Sequence, residues 1–462
     1  MIDQPPPELI ARALANDERV LEAKKLLRSA LKEHQKKITA IKPPVDALKK
    51  GYEELLSSLT EERGNKLWLP YIGSGIGNGP FVELADGSIK YDFICGIGVH
   101  YWGHNHPDLL DSGVDAAISN TVMQGNFQQN IDSAQLSSLF LKISRLDHCF
   151  LCSSGALANE NAFKIAFQKN FPANRILSFE RCFMGRTLAG AQITDKPGFR
   201  DGLPMTLSVD YIPFYDTKDP EGSTKRSVEA LKKHIQRYPK QHALMCFELV
   251  QGEAGFYAGT REFFIALMSI LKENKIAVFA DEIQSFGRTS QPFAYQHFDL
   301  QSYIDIATVG KLAQTCATLF TSEYNPRPAL LGHTFTSSTS AIKAGIVILS
   351  KLLNGDFYGP NGKIMRLNRH FTSKLEGLAN RYPHLIQGPF GLGAMIGFTP
   401  YGGDEEKVKA FIHRLFHAGV ISFMAGGGVH PARVRLLMPV EVVAEKEIDH
   451  VVEIIEAVLK SD

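Results

Sequence analysis

The chain has 462 residues, of which 44% are hydrophobic and 21% charged, and its formal charge is +1. That length predicts two or three lobes rather than one core, and the near-neutral charge argues against a basic nucleic-acid groove or a polybasic membrane patch. No apolar run reaches the roughly 18 residues of a membrane-spanning helix, and Met1–Pro7 shows no basic-then-apolar leader, so the expectation is a cytoplasmic protein with no membrane or nucleic-acid partner.

In chain order, residues 8–36 read as a charged helix with a loose apolar stripe. Ile41-Lys42-Pro43-Pro44 breaks it, and a second helix runs to about Leu59. Residues 1–60 are therefore expected to form a helical extension. Two β-rich runs around Asp86-Gly87, within Phe81–Ile94, predict a hairpin. It falls in 61–105, expected as the first part of a smaller lobe. From 106 to 335, helical stretches alternate with the apolar runs His148–Leu151, Arg175–Phe179, Ala243–Leu249, Ile276–Ala280 and Ile304–Val309. That alternation predicts an α/β fold, a mostly parallel sheet covered by helices on both faces. Residues 336–462 open with a helix over roughly Ser340–Leu349. They continue with amphipathic helices and two strand-like pieces, Met395–Thr399 and Arg433–Met438, as a smaller α+β lobe.

Six cysteines in so long a chain do not make a disulfide framework. Cys149-Phe150-Leu151-Cys152 is apolar and has no second pair at zinc-finger spacing, so buried thiols are expected. His104 and His106 have no ligand partner at metal spacing, and no metal is expected.

The sharpest chemical signal is the apolar run Ile276–Ala280 ending in Asp281-Glu282-Ile283-Gln284. Ligands of open α/β sheets sit at the carboxyl ends of strands, and a carboxylate there needs a cation or donors. The next apolar run, Ile304–Val309, ends in Gly310-Lys311. A lysine in an apolar setting has a depressed pKa and suits Schiff-base chemistry, and Gly310 lets a flat ring approach the backbone. An acid and a lysine on nearby strand ends are what pyridoxal 5'-phosphate requires, the acid for the ring nitrogen and the lysine for the aldehyde carbon.

Asp281-Glu282-Ile283-Gln284 with Phe286-Gly287-Arg288-Thr289, then Gly310-Lys311, resembles the class-III aminotransferases. These are ω-aminotransferases of pyridoxal phosphate fold type I, including acetylornithine, ornithine, 4-aminobutyrate and lysine-ε enzymes. The resemblance runs from about Phe81 to about Val440 and implies a seven-stranded-type sheet in the large domain. It implies a small domain built from the N- and C-terminal segments, and a homodimer with the active site at its interface. By the same resemblance Lys311 and Asp281 are catalytic, and Gly155 and Ala156 of Ser153-Ser154-Gly155-Ala156 cradle the cofactor phosphate. Phe183, in Phe183-Met184-Gly185-Arg186-Thr187, stacks on the ring, Ile283 covers its other face and Gln284 bonds its phenolic oxygen. Thr334, in Gly332-His333-Thr334-Phe335-Thr336, reaches the phosphate of the neighbouring subunit.

For substrates, the resemblance assigns carboxylate-binding roles to Arg186 and Arg435. Glu253, in Gln251-Gly252-Glu253-Ala254-Gly255, pairs with Arg435 for the ω-amine half-reaction and swings away for a dicarboxylate. Arg433 is a register rival of Arg435. Ile97 stands where ornithine enzymes carry Tyr and leans toward acetylornithine or 4-aminobutyrate, whereas Gln314 and Cys316 after the lysine resemble lysine-ε enzymes. The implied activity moves an amino group from an ω-amino donor to a 2-oxoacid, expected to be 2-oxoglutarate, through a Lys311 Schiff base. The chain departs from the family at Leu157, usually Glu, and at Thr336-Ser337-Ser338-Thr339, usually Gly-Gly-Asn-Pro. Two alternatives stay open at this level: an aminomutase or racemase on the same fold, and a non-catalytic scaffold. Asp281, Gln284 and Lys311 standing together oppose the scaffold, and Arg186, Arg435 and Glu253 favour the two-substrate enzyme.

Overall fold

The computed structural model of the chain describes residues 9–120, 125–428 and 430–461. A seven-stranded sheet lies at its centre. Its strands in chain order are β1 (His148–Cys152), β2 (Arg175–Phe179), β3 (Ser208–Ile212), β4 (His242–Phe247), β5 (Ala277–Asp281), β6 (Ile306–Val309) and β7 (Cys316–Phe320). Their spatial order is β1-β7-β6-β5-β4-β2-β3. Neighbours are parallel except β7, which runs antiparallel to both β6 and β1. The inner strands β4, β5 and β6 are buried at every residue. Unbroken apolar runs suit a sheet covered on both faces, and helices such as Gly155–Lys169 and Arg261–Glu273 pack against it.

Two of these strands escaped the sequence reading. The edge strand β3 alternates in burial and has no continuous apolar run. The five-residue β7 follows the lysine turn closely and stands unassigned in that reading.

The expected hairpin is present, with Phe81 opposite Tyr91. It belongs to a four-stranded sheet of Gly73–Asn78, Phe81–Leu84, Ile89–Asp92 and Val420–Ile421, the last parallel to Ile89–Asp92. Residues from both ends of the chain thus share one sheet. A second four-stranded sheet holds the expected Met395–Pro400 and His430–Leu437 together with Ile386–Leu392 and Phe423–Gly427. The last two carry glycines at Gly388, Gly391, Gly426 and Gly427, which obscured them in the sequence. The helix Glu445–Lys460 packs on the helices Lys363–Arg381 and Glu405–Ala418 with the buried stripe Ile448, Val451, Val452, Ile455, Val458 and Leu459.

The front helix is divided in two, Ile10–Ala15 and Glu18–Gln35, with Asp17 accepting from the Arg19 amide at 2.9 Å. A third helix spans Asp46–Arg63. In the second and third helices only Gln35 and Tyr52 are buried. Charge pairs attach the extension to the helix Pro107–Ala117: Arg28 Nε donates to Asp111 at 2.7 Å, and Lys24 lies 2.5 Å from Asp115. All six cysteines are free.

Candidate active site

The register of the sheet brings the two chemical strand ends together. Asp281 of β5 sits opposite Thr308 of β6, and Lys311 follows three residues later in a single 3₁₀ turn. Both side chains open into a cavity of about 500 Å³ at the carboxyl ends of the parallel strands. Gly155, Ala156, Phe183, Arg186, Glu253, Ile283, Gln284 and Ile97 also line it.

The acid is held rigidly. Asp281 Oδ1 accepts from the Ile283 amide at 2.9 Å and Oδ2 from Asn159 Nδ2 at 2.7 Å. Asn159 is itself fixed, because its Oδ1 accepts from the Thr308 hydroxyl at 2.9 Å and its Nδ2 also donates to the Met184 carbonyl at 3.2 Å. Asn159 lies four residues after Gly155 on the helix Gly155–Lys169, so both face the cavity. Asn159 stands three residues beyond the quoted Ser153–Ala156 motif, and the sequence reading gave it no role.

Glu248 was missed altogether. It interrupts an apolar stretch after β4 and lies buried in the cavity wall, accepting from the Phe183 amide at 2.7 Å and the Gly252 amide at 3.1 Å. Burial, reinforced by Asp281, pushes its carboxyl up to about 8, so it holds a proton at neutral pH. Burial raises Asp281 too, while the donors from Ile283 and Asn159 and the charge of Lys311 oppose the rise. Both acids feel the charge of Lys311, and Asp281 has in addition the Asn159 side-chain donor, which favours its charged form.

Lys311 occupies the left-handed region at φ +45°. Burial lowers its amine to about 7, helped by the charges of Arg435 and Arg288 and opposed by Asp281 and Glu253. A substantial fraction is therefore neutral, as an amine nucleophile must be. The preceding Gly310 permits close approach: a Cβ there would lie 2.8 Å from Cys316 Sγ and 3.2 Å from Ile283 Cδ1.

At the cavity floor the helix Gly155–Lys169 starts at the lining residues Gly155 and Ala156. Ser154 caps it by accepting from the Leu157 amide at 3.2 Å. Leu157, the departure from the family, joins Ile283, Ala158, Cys152 and Cys316 in a small apolar cluster. Gln284 Oε1 is buried and has no partner among the described residues. Gly252 leaves room for it, since a Cβ there would collide with that oxygen.

At the rim, Arg435 is nearly fully buried and bonds Glu253 Oε2 at 3.2 Å, the Gly252 carbonyl at 3.2 Å and the Met424 carbonyl at 3.3 Å. The expected pair is thus brought together. Its register rival Arg433 is committed elsewhere, donating to the Gly255 carbonyl at 2.7 Å and stacking on Tyr257 and Phe390. Arg186 is exposed and stacks on Phe199, 3.3 Å from the ring centroid. Ile97 lines the cavity from a left-handed backbone at φ +59°. Arg288, buried and bonded to the Gly98, Gln284 and Phe286 carbonyls, is a third cation that the sequence reading left without a role.

Thr334 is the exception among the expected site residues. It is exposed and lies outside the cavity lining. The altered stretch after it has a local use: Ser338 caps the helix Thr339–Asn354, accepting from the Ala341 amide at 3.2 Å. His104 is not isolated as the sequence suggested, because its Nε2 lies 3.0 Å from the buried Asp92 carboxylate. His106 caps the helix Pro107–Ala117.

A strand-end acid and a low-pKa lysine over a helix start, on this sheet, define a pyridoxal-phosphate enzyme of fold type I. The chain belongs to the class-III aminotransferases, whose family model matches residues 73–459. It is similar to the acetylornithine aminotransferase of Methanocaldococcus jannaschii, 29% identical over 356 residues that cover 74% of this chain and 83% of the relative. The acetylornithine aminotransferase of Bacillus subtilis is 34% identical over 235 residues, covering 50% of this chain and 57% of that one. Among solved structures, a lysine aminotransferase from M. tuberculosis superposes with a TM-score of 0.77 at 22% identity, over 88% of this chain and 99% of that one. The ornithine aminotransferase of Toxoplasma gondii does so with 0.77 at 19% identity, over 91% and 99%. The protein is accordingly a pyridoxal-phosphate-dependent aminotransferase. The buried Gln284 amide, whose oxygen has no partner among the described residues, and the buried strand-end Asp281 carboxylate fit that cofactor's phenolic and ring-nitrogen groups.

Proposed function

We propose that the chain transfers the terminal amino group of an ω-amino donor, of the acetylornithine, ornithine, lysine or 4-aminobutyrate type, to 2-oxoglutarate. The observation that carries this reading is the Glu253–Arg435 pair at 3.2 Å beside Lys311. A neutralised arginine suits a donor with no carboxylate at that end, and a released one suits a dicarboxylate.

When bound, pyridoxal phosphate supplies an aldehyde that captures amines and a ring that takes up electrons from a broken C–H bond. Asp281 would hold the ring nitrogen protonated, with Asn159 and the Ile283 amide keeping its charge in place. Gly155 and Ala156 would hold the phosphate, as helix-start amides hold anions. Phe183 and Ile283 would enclose the ring, and Gln284 would donate to its phenolic oxygen. Lys311 would hold the aldehyde carbon at rest. Once displaced by a donor, its amine would take the proton from the donor carbon and return it on the cofactor side. The raised Glu248 carboxyl would favour its neutral form and so leave the negative charge of this inner wall to Asp281. Arg186 would fix the donor's distal carboxylate, and Ile97, Val99, Val250 and Phe423 give the donor chain an apolar wall.

Thr334, exposed on the single chain, would complete the phosphate site of a second copy in a homodimer. The decisive experiment follows the visible absorption of the purified enzyme. A single ω-amino donor should bleach the cofactor band without any acceptor, and 2-oxoglutarate should restore it. Bleaching with turnover in the absence of a 2-oxoacid would instead show an aminomutase. The donors that bleach the band identify the substrate.

A further inference from the structure

Glu253 stands between two cavities. One is the active site, and the other, of about 540 Å³, is lined by Arg181, Thr194, Lys196, Pro197, Glu405 and His430 among others. The two carboxylate oxygens face different cations. Oε2 lies 3.2 Å from Arg435, whose side chain is 1% exposed, and Oε1 lies 3.7 Å from Lys196 Nζ, whose side chain is 41% exposed. The backbone beneath is pinned, because the Gly426 amide donates to the Glu253 carbonyl at 2.9 Å and the Gly255 amide to the Gly252 carbonyl at 3.3 Å. Rotation of the side chain alone would exchange one cation for the other.

Lys196 is tied to the same site. Its ammonium sits 4.8 Å from the centroid of the Phe199 ring, on which Arg186 also stacks at 3.3 Å. Its backbone amide donates to the Thr194 carbonyl at 3.0 Å, and the Thr194 hydroxyl accepts from the Met184 amide at 2.9 Å. The segment that carries Lys196 is therefore anchored to the segment that carries Phe183 and Arg186.

We propose that Lys196 receives the Glu253 carboxylate when a dicarboxylic 2-oxoacid claims Arg435, and that it is a positioning residue for acceptor selectivity. The proposal rests on the reading of Glu253 and Arg435 as a switch between donor and acceptor. A carboxylate that leaves a buried guanidinium forfeits a strong pair unless another cation is within reach. With the switch shut, Lys196 is the more distant of two cations on Glu253. With it open, Lys196 is the nearer one, so its attraction favours the open state and the acceptor that needs it. A pair this exposed changes an equilibrium by a small factor, and salt screens it.

The test uses the holoenzyme of Lys196→Met and times each half-reaction separately. The expected result is a fall in kcat/KM for 2-oxoglutarate of about three- to tenfold, carried by KM, with the donor half-reaction within about twofold of wild type. The dissociation constant of glutarate, a dicarboxylate with no keto group, should weaken by the same factor in calorimetry. Lys196→Arg should restore both values, and high salt should shrink the difference between variant and wild type. Unchanged 2-oxoglutarate and glutarate values, or an equal loss in both half-reactions, would overturn the proposal. Glu253→Gln tells the two possible failures apart. If it leaves the ratio of donor to acceptor efficiency untouched, the switch reading itself is wrong. If it moves that ratio while Lys196→Met does not, only the role of Lys196 is wrong. Placed on top of Glu253→Gln, Lys196→Met should do nothing further.

Discussion

The inner and outer halves of the active site hold their charges by different means. Inside, Asp281 and Glu248 accept from the backbone amides of Ile283, Phe183 and Gly252, and Asn159 is locked between Thr308 and Met184. Most of these partners are backbone groups, and the Asn159 side chain is fixed by two further bonds. At the rim, Glu253 is held by two long side chains, Arg435 and Lys196, and is itself partly exposed. On the proposed reading, the reacting centre is thus built largely on backbone contacts and the substrate gate on rotamers. One chemistry can then meet two substrates of different charge at the same cations.

The inner half should break hardest. Lys311→Ala removes the only lysine among the described residues lining the cavity, and turnover is expected to fall at least about a thousandfold while the fold persists. Steady-state transamination with circular dichroism on the same sample checks this, and activity within tenfold of wild type would remove Lys311 from the reaction. Asn159→Ala leaves Asp281 Oδ2 without its amide donor. A hydrogen bond to a charged group supports a loss of about ten- to a hundredfold in pyridoxal phosphate affinity. Fluorescence titration of the apoprotein measures it. An unchanged affinity would mean that Asp281 needs no orienting partner.

The pH dependence sharpens the same contrast. Lys311 is lowered from 10.5 to about 7, so between those values the unfolded chain binds a proton there that the folded apoprotein does not. The Lys311 contribution to apoprotein stability should therefore rise with pH across that window, by up to about 5 kcal/mol at about 1.4 kcal/mol per pKa unit, against opposite slopes from the raised Glu248 carboxyl and the buried thiols. The difference between the wild-type and Lys311→Met profiles isolates that contribution. Uptake of pyridoxal phosphate should also accelerate about tenfold from pH 6 to pH 8, as the neutral amine fraction grows. Chemical denaturation and stopped-flow absorption would show both effects, and a flat uptake profile would contradict a low-pKa amine.

How far the molecule was legible follows from which signals are local. The strand ends Asp281 and Lys311 could be read because each closes an apolar run, and β5 and β6 bury every residue. The pair Glu253–Arg435, far apart in sequence, could be read only through resemblance. β3 and β7 were invisible because an edge strand and a five-residue strand after a turn carry no distinctive period. Glu248 and Asn159 were missed for a different reason. A single polar residue in an apolar strand or an Ala-rich helix looks like an ordinary helix or strand residue until the sheet register places it against Asp281. Lys196 carries no pattern at all, and its relation to Glu253 exists only in three dimensions.

The rim should respond by redistribution rather than loss. Glu253→Gln removes the charge that neutralises Arg435 and leaves that buried guanidinium on two neutral carbonyls, those of Gly252 and Met424. A free arginine beside the cavity attracts any carboxylate, so 2-oxoglutarate gains a site it no longer has to open. An ω-amino donor gains nothing at that end and loses the acidic partner facing its chain. The ratio of kcat/KM for 2-oxoglutarate to that for the donor is expected to rise about tenfold, as removal of a partly exposed charge pair supports. The change should lie mostly in KM, because neither Asp281 nor Lys311 is touched. Separate single-turnover measurements of the two half-reactions give the ratio directly. A fall in both by the same factor would show that Glu253 supports the shape of the site and does not gate its substrates.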